Sequence, residues 1–211
     1  MIDYEQLGMK NYSKYAQFTK ERKWEEIFKL NEGSIDTFGT KKELKVLANY
    51  LEADEVVFAL CSGIMGQTKT SNKFDFGANT WLIALTSKRF LCLDHALLTL
   101  SVDTQSIRHE HVQAVSASQG WIWGKIILDL GSRTIVIDNC KKDTVKIMAS
   151  LSNTWLSVLK RAEDQKKSEA SAPAQQISFT EELQKLAELK NSGILSEEEF
   201  KQAKDKILSK L

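Results

Sequence analysis

The chain is poor in the residues that cross-link or interrupt a fold. Its 211 residues contain only three cysteines, Cys61, Cys92 and Cys140, and a single proline, Pro173. The cysteines are widely spaced and form no Cys-x-x-Cys motif, which excludes a disulfide framework and predicts buried thiols in a reducing compartment, the cytoplasm. No apolar run approaches the roughly 20 residues that a membrane-spanning helix needs, and no signal peptide is readable.

Neither positive nor negative charge is in clear excess. The formal net charge is +1, whereas a general nucleic-acid-binding protein is usually clearly basic. Motifs of catalysis are also missing, since no Gly-x-Ser-x-Gly or His-Glu-x-x-His occurs. The segment Gly63 to Gly66 lacks the lysine and helix of a phosphate loop. The sequence therefore predicts a protein that is not an enzyme, binds no cofactor and has no nucleic-acid partner.

The C-terminal residues 177–211 contain the strongest local signals. Ser178 with Glu181, and Ser196 with Glu199, fit the Ser-x-x-Glu capping box that begins a helix. Gly193 suits the left-handed position that ends the first helix. The apolar stripes of the two helices consist of Leu183, Leu186 and Leu189, and of Phe200, Ala203, Ile207, Leu208 and Leu211. A hairpin this short cannot bury both stripes within itself, so we expect it to need a partner.

In the rest of the chain, the spacing of the apolar residues changes twice. Residues 1–39 are predicted to be helical, and Thr40 with Glu43 fits a capping box that opens a helix reaching Leu51. Period-two patterns then predict seven strands: Glu55–Cys61, Thr80–Leu85, Phe90–Leu93, Leu97–Val102, His109–Ser118, Trp121–Leu130 and Arg133–Ile137. Asn139 is predicted to cap a long helix with the apolar stripe Val145, Met148, Leu151, Trp155 and Leu159.

These elements predict an α+β fold of four parts. Residues 1–39 form an N-terminal helical region, and residues 40–160 form a bent antiparallel sheet, or partial barrel, closed by a C-terminal helix. Residues 161–176 are charged and rich in Ser and Ala, which is typical of a flexible linker. Residues 177–211 form the tethered two-helix hairpin.

Two segments resemble known families. Leu51 to Val57, followed by Leu85-Thr86-Ser87-Lys88-Arg89 and the next strand, resembles the bacterial pleckstrin-homology-like (PH-like) domains, and Gly124-Lys125-Ile126 with a terminal helix follows that family's order. Leu183 to Leu211, with Gly-Ile-Leu-Ser-Glu-Glu-Glu-Phe at its centre, resembles the short C-terminal (SHOCT-type) domain. The resemblance implies a binding module that is not an enzyme and has no cofactor. It also implies self-assembly or contact with a partner protein.

The predicted function is therefore a non-enzymatic cytoplasmic assembly module that binds itself or another protein. The predicted partner-binding residues are Leu183, Leu186, Leu189, Phe200, Ile207 and Leu208. The alternative is weak peripheral binding to anionic membranes through basic loops of the PH-like domain. Its candidate lipid- or anion-binding residues are Lys69, Lys73, Lys88 and Arg89.

Two further patterns have a functional and a plain reading. His109 and His111 would share one face of a strand, but no further ligands accompany them, so a polar strand is favoured over a metal site. Trp121 and Trp123 lie between Gly120 and Gly124. They could stack on a ligand, but a turn flanked by core or rim tryptophans is the more common arrangement.

Overall fold

The fold is mixed α+β, with N-terminal helices, a seven-stranded antiparallel sheet and C-terminal helices. A computed structural model describes residues 2–67, 80–95 and 101–208, and of residues 67, 169–181 and 208 it describes the backbone alone. The helices are α1 (Tyr12–Lys20), α2 (Trp24–Leu30), α3 (Lys41–Val46), α4 (Lys142–Asn191) and α5 (Glu197–Leu208). The strands are β1 (Val57–Gln67), β2 (Trp81–Thr86), β3 (Arg89–His95), β4 (Val102–Arg108), β5 (Ala114–Gln119), β6 (Gly124–Asp129) and β7 (Thr134–Cys140).

The strands follow the order β4-β3-β2-β1-β7-β6-β5, and every neighbouring pair is antiparallel. Strand β1 bends the sheet, because its first part pairs with β2 and residues 64–67 pair with β7. Gly63 lies at this bend, where a Cβ atom would stand 2.6 Å from both Cys140 Sγ and Ile137 Cγ2. Strands β4 and β5 are the two edges, so the bent antiparallel sheet is confirmed but it does not close on itself.

The strand bounds differ from the predicted ones at several places. β1 continues past its predicted end at Cys61 to Gln67, and β6 starts at Gly124 and not at Trp121. The segment predicted as the strand His109–Ser118 begins with a 3₁₀ turn at His109–His111, and β5 starts only at Ala114. The predicted strand Leu97–Val102 lies largely outside the described residues, and β4 covers Val102–Arg108 instead. The segment at His109–His111 connects β4 and β5, which lie at opposite edges of the sheet. A short turn there forms its own backbone hydrogen bonds, so this segment does not need to pair as a strand.

Residues 1–39 pack directly onto the sheet. The rings of Tyr4, Tyr12 and Phe58 surround Trp155 of α4, with Phe58 and Trp155 centroids 4.8 Å apart. The Thr19 hydroxyl accepts a hydrogen bond of 2.9 Å from the Val57 amide. The N-terminal helices are therefore part of the same core as the sheet, and Trp155 is a core residue as its helical spacing predicts.

Two predicted side-chain caps do not form, although α3 does begin directly after Thr40. Thr40 makes no side-chain cap; its hydroxyl lies 2.7 Å from Ser62 Oγ, and Glu43 accepts a bond of 2.8 Å from the His95 amide. The helix that follows stops at Val46 and continues as a 3₁₀ turn at Leu47–Tyr50. Asn139 has a left-handed φ of 56° inside β7, and α4 begins three residues after it, at Lys142. Contacts with the sheet outweigh the local capping pattern in both cases.

The three cysteines are free and buried, as predicted. Burial raises the pKa of the Cys92 thiol to about 12. The pKa of Cys61 is raised by its hydrogen bond with Cys140 and by burial. Cys61 and Cys92 therefore lack the lowered pKa of a reactive cysteine. All three thiols are buried in the core.

The chain divides into two compact units, residues 1–159 and residues 160–211. Helix α4 covers residues 161–176, the segment predicted to be a linker, so no separate helix begins at Ser178. Ala, Gln, Lys and Glu dominate this segment, and all four are strong helix formers. Flexibility of the segment stays a prediction.

The end of α4 and the start of α5 match their sequence signals. Gly193 has a φ of 73°, its amide bonds to Lys190 O at 3.0 Å, and the Ile194 amide bonds to Leu189 O at 3.0 Å. This pair of bonds is the Schellman motif, with Gly193 at its left-handed position. Ser196 Oγ lies 2.7 Å from Glu199 Oε2, and the Ser196 amide bonds to the same oxygen at 3.0 Å. The second capping box is therefore confirmed.

Candidate functional site

The motif Leu-Thr-x-x-Arg builds a buried ion pair. Arg89 Nε and Nη2 each donate a 3.0 Å bond to the carboxylate of Glu55, whose side chain has no exposed surface. Nη2 also donates to Tyr50 O at 2.8 Å, and the Thr86 hydroxyl donates to Glu55 Oε1 at 2.6 Å. The bond to Glu55 raises the pKa of Arg89. The motif therefore ties the turn after β2 to the chain before β1.

This pairing bears on the residues predicted to bind lipid or anions. Only 12% of the Arg89 side chain is exposed, and its donors bond to this chain. Lys88 donates to Ala53 O at 2.6 Å and lies 3.4 Å from a carboxylate oxygen of Glu52. Lys69 and Lys73 lie outside the described residues. The structure thus places Lys88 and Arg89 in an internal network, and anion binding by the four residues stays a prediction.

His109 and His111 do not share one face of a strand, because they lie in a 3₁₀ turn. His109 is buried and its Nε2 donates to Thr86 O at 2.7 Å, while its Nδ1 has no partner. Burial lowers the pKa of His109, partly opposed by the bond to Thr86 and by Glu55. His111 is exposed beside Glu110. In the part of the chain that the structure describes, no cluster of His, Cys, Asp and Glu could hold a metal ion.

The predicted partner-binding residues lie on the two helices that Gly193 joins. No residue from 182 to 207 is buried. Leu183, Leu186, Phe200 and Ile207 are half-buried, Leu189 is exposed, and the side chain of Leu208 is outside the described part. Lys190 links the helices, since its Nζ lies 2.6 Å from Glu197 Oε1 and 5.0 Å from the centre of the Phe200 ring. The hairpin is formed, but its apolar stripes lack a core.

The loop between β5 and β6 exposes three consecutive apolar side chains. Trp121 is 93% exposed, and Ile122 and Trp123 are exposed as well. The turn is closed by a 2.8 Å bond from the Gly120 amide to Trp123 O, and Lys142 Nζ donates to Trp121 O. The sequence predicts a turn flanked by core or rim tryptophans here, whereas both rings are exposed. The sequence feature that marks this loop is a run of three apolar residues between two glycines. The turn between two strands has no interior of its own in which to bury these side chains.

A cleft of about 660 Å³ lies beside the start of α4. Its lining includes the exposed Phe38, three lysines and the buried Glu43. Glu43 Oε1 accepts from the His95 amide, whereas its Oε2 has no hydrogen-bond partner. No pattern of neighbouring residues indicates this cleft, because its walls come from three segments that are distant in the sequence.

Comparisons with known families agree with this architecture. A family described as Bacterial PH domain matches residues 51–154, and one described as Short C-terminal domain matches residues 181–208. The resemblance of these two segments to a bacterial PH domain and to a short C-terminal domain is thus confirmed over the residues matched. Both are families of non-catalytic modules, which supports a role in binding.

Other comparisons are weaker. The crystal structure of a pleckstrin homology domain from Shewanella amazonensis SB2B is 18% identical, with a TM-score of 0.34, over 55% of this chain and 97% of that one. No protein with a curated description matches the chain. Within the described ranges, we find no helix that combines the length and apolarity required to span a bilayer.

Proposed function

We propose that the protein is a non-enzymatic assembly module whose C-terminal hairpin binds the hairpin of a second copy. The observation that carries this proposal is the absence of any buried residue between residues 182 and 207, although the helices are capped at both ends of their turn. Fully burying a Leu or Phe side chain contributes about 1.5–3 kcal/mol, so a partner that covers these stripes gains enough to offset the costs of association.

The charge pattern favours a second copy as the partner. Helix α5 begins with Glu197, Glu198 and Glu199 and continues with Lys201, Lys204 and Lys206. Two such helices packed antiparallel about a two-fold axis place the acidic start of each beside the basic end of the other. A closed dimer of this kind is self-complementary in both apolar surface and charge.

The test is the particle mass of the full chain by light scattering across a range of concentrations. We expect more than one subunit for the wild type, and a monomer for Leu186→Glu combined with Leu189→Glu. The matched control is Gln184→Glu combined with Gln202→Glu, which adds the same charge at exposed positions and should keep the wild-type mass. Circular dichroism checks that helix content is retained. A monomeric wild type, or equal masses for both double variants, would contradict the proposal.

A further inference from the structure

We draw no further inference here: the strongest candidate, the loop between β5 and β6 that exposes Trp121, Ile122 and Trp123, is an unpartnered apolar surface, and nothing in the described part of the structure shows what covers it.

Discussion

The carboxylate of Glu55 meets the guanidinium of Arg89 through two parallel hydrogen bonds of 3.0 Å, with the Glu55 side chain fully enclosed. Arg89 stands at the start of β3, and Glu55 stands just before β1. The pair thus fixes the turn between β2 and β3 against the entrance to the sheet. It is a structural element of the first unit, residues 1–159.

Breaking this pair should be costly. Glu55→Gln removes the enclosed counter-charge of Arg89 and leaves only Glu52, whose Oε1 lies 3.6 Å from Nη1. Loss of one partner of a buried pair costs about 3–5 kcal/mol. Urea denaturation measures the change in the free energy of unfolding. Glu26→Gln is the control, because Glu26 pairs with Lys29 on the surface and its loss should have a much smaller effect. Equal losses for the two variants would contradict the structural role of the pair.

Protonation of His109 should destabilise the fold. Burial lowers its pKa, so the folded state takes up a proton at lower pH than the unfolded state. Stability that is complete above the unfolded pKa near 6.5 is lost as pH falls through the folded pKa, with a slope of at most about 1.4 kcal/mol per pH unit.

Gln in place of His109 can still donate to Thr86 O but does not titrate. We therefore expect His109→Gln to flatten the loss of stability between pH 7 and pH 5, measured by urea denaturation. His111→Gln, at an exposed position, should keep the wild-type slope. The same slope in all three proteins would show that His109 does not contribute to it.

Backbone conformation alone should decide the tolerance of Gly193. No atom lies within 4 Å of where its Cβ would stand, but its φ is 73°. Asn accepts the left-handed region and a β-branched residue does not. Gly193→Asn should keep the helix content and particle mass of the wild type, whereas Gly193→Val should lose both, by circular dichroism and light scattering. Val and Asn variants with the same properties would show that the left-handed turn is dispensable.

The N-terminal helices should be required for the PH domain to fold. Removing residues 1–39 exposes Phe58 and Trp155, which pack against Tyr4 and Tyr12. A chain of residues 1–164 should unfold cooperatively with a near-ultraviolet dichroism spectrum of fixed aromatic rings, whereas residues 40–164 should not. A cooperative transition in the shorter chain would place the N-terminal helices outside the essential core.

The sequence predicts those features that depend on neighbouring residues. Ser196 with Glu199, and Gly193 with its two amide bonds, form where the pattern places them because each motif closes within a few residues. Trp155 is buried because helical spacing locates it on an apolar stripe. Thr40 and Glu43 have the same local pattern but bind Ser62 and His95, which lie far away in the sequence. Only the fold brings those partners near.

The exposed loop between β5 and β6 also shows which features the sequence predicts and which depend on the fold. A pair of tryptophans between glycines is visible in the sequence, but whether it points inward depends on the edge at which its hairpin lies. The Leu-Thr-x-x-Arg motif is equally visible, yet its internal role follows from Glu55, which precedes it by 34 residues.

The burial of all three thiols leaves the folded surface without a native sulfhydryl group. Maleimide reagents should therefore spare the native protein and modify it only through opening of the core, so the labelling rate of the unaltered chain reports spontaneous unfolding. A single cysteine in place of Ile122 would be selectively modified. An environment-sensitive dye attached there would report the polarity around the loop between β5 and β6 directly. No cysteine-free variant of the protein has to be made first.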